Sequence, residues 1–203
     1  MLNVVAIPEF AAHAAPWVMR GMLLLLLLTI CISDFRARRI SNRLVLAGLL
    51  AGLAWQTLGS AGSGLFHPEA PGALGMGAAL AGATVAFAGF LLLYLMRTMG
   101  AGDVKLMAML GAFFGLEALP ALVLLVFLAG GVLAALRLFD SARRRAVCAN
   151  LRLILFDRLA AVTGGVGPQF DPRTDSADRL PFALAIAGGA LLLAALQLMG
   201  VTA

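Results

Sequence analysis

Six apolar runs, separated by glycine-rich turns and clusters of Lys and Arg, leave few folds open to this chain. The runs cover 17–33, 44–58, 73–96, 106–116, 121–139 and 181–199, and their only charged residues are Arg20 and Arg137. A backbone surrounded by lipid must satisfy its own hydrogen bonds, so only helices or a closed barrel can cross a bilayer. Barrel strands alternate apolar and polar residues over about ten positions, whereas these runs are apolar throughout. The expectation is an all-α, polytopic membrane helical bundle with about six transmembrane helices, forming one membrane-embedded domain over 1–203. A hydrophobic content of 62% with 12% charged residues excludes the ordinary soluble class.

Charge placement predicts the orientation. Residues 1–15 carry no Lys or Arg, and the positives Arg36, Arg38, Arg39 and Arg43 follow the first apolar run. That order is the reverse of a signal peptide, so the first helix is read as retained, its N-terminus outside and Arg20 reaching back to the outer surface. The fourth run, 106–116, lies in the length range where a buried or re-entrant segment competes with a span. If it crosses, all of the fifteen Lys and Arg except Arg20 fall on one side. If it does not, Arg143-Arg144-Arg145 lands outside, against the positive-inside rule. Six spans with both termini outside (periplasmic) is the consistent scheme.

The remaining composition narrows the partners. The net charge of +5 comes from residues flanking apolar runs, where they set orientation, so the lipid bilayer is an expected partner and nucleic acid is not. The loop at about 140–180 is expected to be extramembrane. In it Val147, Leu151, Arg152, Ile154, Leu155 and Arg158 pattern as an amphipathic helix on the inner surface, and Gly164-Gly165-Val166-Gly167-Pro168 reads as a turn. The spacing of Gly82 and Gly89 suits close helix packing. Cys31 and Cys148 read as two unpaired thiols, and His13 and His67 have no Glu or Cys at ligand spacing. Neither a metal site nor a cofactor is expected.

Against this apolar background, Gly100-Ala101-Gly102-Asp103-Val104-Lys105-Leu106 places an acid where charge is expensive. A charged side chain at bilayer depth costs roughly 2.5–3.5 kcal/mol on insertion scales, which marks Asp103 as a functional candidate. An N-cap of the helix that follows is the alternative role. A second acid, Asp34, ends the first span in Ser33-Asp34-Phe35-Arg36, and by the orientation count lies at the same inner boundary. Asp140, Asp157, Asp171, Asp175 and Asp178 belong to the long loop, while Glu9, Glu69 and Glu117 fall on the other side. Paired carboxylates resist double ionisation and share a proton, so one serves as base and the other as acid. Asp34 also fits a solvated acid neutralised by Arg36 or Arg38. Gly100 and Gly102 would let a substrate backbone approach closely. Lys105 either holds positive charge near the acids or anchors the helix end, and Asn42 either bonds Asp34 or caps the second span.

The seven-residue stretch resembles the Gly-x-Gly-Asp-x-Lys-Leu signature of type IV prepilin peptidases, which are membrane aspartic proteases. Asp34 with Arg39-Ile40-Ser41-Asn42 resembles their first aspartate motif, with Ser41 where Pro is usual. Arg179-Leu180-Pro181-Phe182 resembles the start of their last span, with Ala183 where Gly is common. The resemblance implies an aspartic endopeptidase of the bacterial inner (cytoplasmic) membrane, with Asp34 and Asp103 catalytic and Gly100, Gly102, Lys105 and Asn42 in support. Its implied partners are prepilin or pseudopilin substrates, cut after a glycine on the cytoplasmic side. Without the paired Cys-x-x-Cys motifs of longer members, the chain is similar to the short, peptidase-only form of Flp-type tight-adherence pili, with no methyltransferase region expected. Read from the acids alone, a six-helix transporter coupled to ions or protons and a non-catalytic pilus assembly subunit are the alternatives.

Overall fold

The computed structural model describes residues 6–37, 39–137, 139, 145, 152, 156 and 182–201. Among them run six helices, α1 (Ala6–Ala37), α2 (Asn42–Leu58), α3 (Met76–Leu95), α4 (Ala101–Phe114), α5 (Leu119–Arg137) and α6 (Phe182–Leu198). The fold is the expected helical membrane bundle. Ala14–Ala37, Met76–Leu95 and Leu119–Leu136 are long and apolar enough to cross a bilayer, and α2 and α6, at 17 residues each, reach the lower limit for a span. Of the loop at 140–180, only Arg145, Arg152 and Phe156 are described, each helical and exposed. The expected amphipathic surface helix, the glycine turn at 164–168 and Cys148 lie outside the described residues.

The fourth helix is the hub. α4 has 14 residues, about 21 Å at 1.5 Å per residue, against a hydrocarbon core of about 30 Å. A helix that short is tolerated only where protein covers it. α4 meets that condition, since Leu106, Met107, Met109, Leu110 and Ala112 are 0% exposed and α2, α3 and α6 pack around it. Its contact with α3 is backbone to backbone. A Cβ built on Gly82 would meet the Gly111 carbonyl, and one on Gly111 would meet the Gly82 carbonyl, so neither position admits a side chain. Gly89, the other glycine of the expected packing pair, is exposed with nothing within 4 Å of a built Cβ. It lies about 10 Å further along α3, beyond the crossing point.

The far end of α4 is tied by one buried polar side chain. Gln56 of α2 is 2% exposed. Its amide donates to the Ala112 and Phe113 carbonyls at 3.3 and 3.1 Å and accepts from Leu74 N–H at 2.6 Å. The last carbonyls of a helix have no partner within it, so Gln56 closes α4 and fastens the α2–α3 loop in the same step. Phe66 of that loop stacks on Phe114 at 5.3 Å. Arg20 of α1 donates from Nε to the Leu65 carbonyl at 2.9 Å, its guanidinium 4.6 Å from the Trp17 ring. Arg20 thus reaches the loop end of the bundle and docks there on a carbonyl. α4 crosses the bundle from the end carrying Asp103 to this loop end.

Replacing Gln56 with Leu leaves two carbonyls and one amide without a partner in the interior. We expect a loss of about 1–3 kcal/mol, the cost of buried groups left unsatisfied, read as a lowered unfolding midpoint in detergent. An unchanged midpoint would show that α4 is held without the Gln56 bonds.

Candidate active site

The C-terminus of α1 and the N-termini of α2, α4 and α6 converge at the end opposite Gln56. Ser33 of α1 donates from Oγ to the Arg39 carbonyl at 3.0 Å, which turns the chain sharply after α1. Ile40 then lies against the first turn of α4. A Cβ on Gly102 would sit 2.9 Å from Ile40 Cβ, so the space left by this glycine is filled by the chain's own α1–α2 link. Asn42 is the first residue of α2, after the N-cap Ser41, and its Oδ1 accepts from Lys105 Nζ at 3.0 Å. Lys105 therefore links α4 to α2 through Asn42.

Asp103 lies in the first turn of α4, two residues before Lys105. Gly100 is the N-cap, and its N–H donates to Asp103 Oδ2 at 3.3 Å. This is the returning half of a capping box, so Asp103 supports the helix start from inside the first turn rather than from the N-cap position. Asp103 is partly exposed, which leaves its other oxygen for chemistry.

Asp34 stands one turn before the end of α1, also partly exposed. The Ala183 N–H, in the first turn of α6, hydrogen-bonds its carboxylate. Arg36, one of the two residues expected to neutralise it, is exposed, and Arg38 lies outside the described residues. The two acids, remote along the chain, sit within electrostatic reach of one another at this end. Among the described residues no group of three His, Cys, Asp or Glu that could hold a metal ion gathers. Two carboxylates that share one water can pass a proton to and from it and a carbonyl group.

Residues 21–135 match the model of the type IV leader peptidase family, and this segment, more than half of the chain, contains both acids, Asn42 and the whole glycine motif. The chain belongs to the type IV leader peptidase family. No curated protein and no solved structure matches it. As a member of a peptidase family, this membrane protein is a hydrolase of the prepilin leader peptidase kind, and α6 lies beyond the matched segment. Two residues at this end, Ile40 and Ala183, entered the sequence reading only as members of motifs, without the contacts they make. Ile40 could be found only through the contact it makes with Gly102. Ala183 acts through its backbone, which side-chain identity does not reveal.

A methyl group at 102 must push Ile40 away from α4. Gly102→Ala is expected to cost about 1–3 kcal/mol, the usual range for overpacking, and to reduce leader cleavage. Adding Ile40→Ala should recover most of both, as measured by unfolding in detergent and by cleavage assays. Full stability and activity in the single variant would show that the Ile40 contact is dispensable.

Proposed function

We propose that this chain is a membrane aspartic endopeptidase that removes the leader of prepilins, with Asp34 and Asp103 as its catalytic pair. The observation that carries the reading is that these two acids, one from the end of α1 and one from the glycine motif of α4, lie within electrostatic reach of one another in a chain of the leader peptidase family. The ionised carboxylate takes a proton from water as the water oxygen attacks the scissile carbonyl carbon, and the protonated carboxylate gives its proton to the carbonyl oxygen. The tetrahedral diol then collapses. One diol hydroxyl gives its proton to the ionised carboxylate as the C–N bond breaks, the leaving nitrogen takes up the proton of the other carboxyl group, and one proton again lies between the two acids. Lys105 and Asn42 hold α4 and α2 together beside the pair, while Gly100 and Gly102 fix the start of α4.

The substrate class we propose is a prepilin or pseudopilin of the Flp or type IV-like kind, cut just ahead of its hydrophobic helix. The acids would face the cytoplasm across the bacterial inner membrane, because the basic residues cluster at that end of the bundle, and both termini would lie in the periplasm.

Coexpression of the chain with a Flp-type prepilin should give leader removal on a gel. Asp34→Asn and Asp103→Asn should each lower the rate by about 10²–10⁴, the span of an acid–base contribution. Processing at the parental rate by both variants would reject the assignment. Orientation has its own check. In intact cells a membrane-impermeant thiol reagent should label Glu69→Cys in the α2–α3 loop, and should label Met96→Cys at the acid end only after permeabilisation. The opposite pattern would invert the proposed topology.

A further inference from the structure

α1 and α6 touch at one residue in a way the acid pair alone does not explain. The Cys31 thiol, one turn before Asp34, donates to the Ala183 carbonyl with Sγ 3.7 Å from the oxygen. The Ala183 N–H meets the Asp34 carboxylate. Both groups of a single residue of α6 are therefore engaged by α1, three residues apart.

Helix polarity accounts for this pairing. In a right-handed helix N–H groups point towards the N-terminus and carbonyls towards the C-terminus. α6 starts at the acid end and α1 finishes there, so the Ala183 N–H faces the end where Asp34 lies and its carbonyl faces one turn deeper, where Cys31 lies. The N–H is also one of the four at a helix start that have no partner within the helix. Ala183 is 0% exposed, so water does not reach it, and a buried amide must find an acceptor. Asp34 is that acceptor.

We propose that Cys31 and the backbone of Ala183 form a bracket that positions the Asp34 carboxylate for the reaction assigned above, Cys31 acting as a positioning residue. The thiol fixes the height of α6 against α1, and the amide then fixes the direction of the carboxylate towards Asp103. The bracket rests on the peptidase reading and adds to it a residue of α1 and a residue beyond the segment that matches the family.

The test uses the full-length chain in membranes with a Flp-type prepilin. Cys31→Ala removes the donor, and kcat should fall about fivefold, the size expected for one neutral hydrogen bond, with KM unchanged. Cys31→Ser keeps a donor and should restore most of kcat. A kcat within twofold of the parent in Cys31→Ala, together with loss of cleavage in Asp34→Asn, overturns the bracket alone. Cleavage at the parental rate by Asp34→Asn overturns the bracket and the peptidase reading together. A second measurement does not depend on activity. Hydrogen exchange at the Ala183 amide should quicken at least tenfold in Asp34→Ala and stay slow in Asp34→Asn, whose side-chain oxygen still accepts. Equal exchange in the parent and in Asp34→Ala overturns the bracket whatever the kinetics show.

Discussion

The enclosure of α4 is the constraint on which the rest of the bundle depends. A helix of 14 residues in a bilayer core about twice the length of its ten buried residues cannot face lipid at both ends, so its neighbours must wall it in. That requirement explains why α3 gives up side chains at Gly82, why α4 does so at Gly111, and why α2 spends a Gln in its apolar face. Interhelical affinity in lipid comes from close packing and hydrogen bonds rather than from hydrophobic exclusion. Both are concentrated on the helix that carries Asp103.

The two ends of α4 are held by different means. At the loop end the ties are several: the buried Gln56, the Phe66–Phe114 stack and the partly buried bond of Arg20 to the Leu65 carbonyl. At the acid end the ties are single contacts, Ile40 on Gly102 and Lys105 to Asn42. This division suits a hydrolase in a membrane. Rigid packing at one end sets the helix positions, and the acid end stays partly exposed.

How much of this was legible in the sequence follows from the kind of signal each feature leaves. The helices lie close to the apolar runs, because lipid imposes one rule on every residue of a span. The Gly-x-Gly-Asp stretch also stood out, because a carboxylate in such surroundings has few uses. The reason for Gly102 was not legible. Its missing side chain makes room for Ile40, and a glycine records that something approaches without saying what. Gln56 was passed over because a single amide within an apolar run does not name its partners, here two carbonyls and an amide elsewhere in the chain. Cys31 read as an unpaired thiol, which it is, and its hydrogen bond to a distant carbonyl adds nothing that spacing could reveal.

The aim of Asp103 follows from contacts made far from it. Successive residues of a helix turn by about 100°, so relative to Asp103 the α3 contact at Gly111 lies about 80° to one side, and the α2 contacts at Phe113 and Met109 lie about 80° and 120° to the other. With both flanks occupied, the stripe of Asp103, Met107 and Leu110 must face the remaining neighbours. α6 is among these, and α1 packs on α6. Asp34 reaches the same place from the opposite direction, its carboxylate on the first turn of α6. Glycine and phenylalanine packing at the closed end thus fixes the rotation of α4, while α6 gives both acid-bearing helices a common surface.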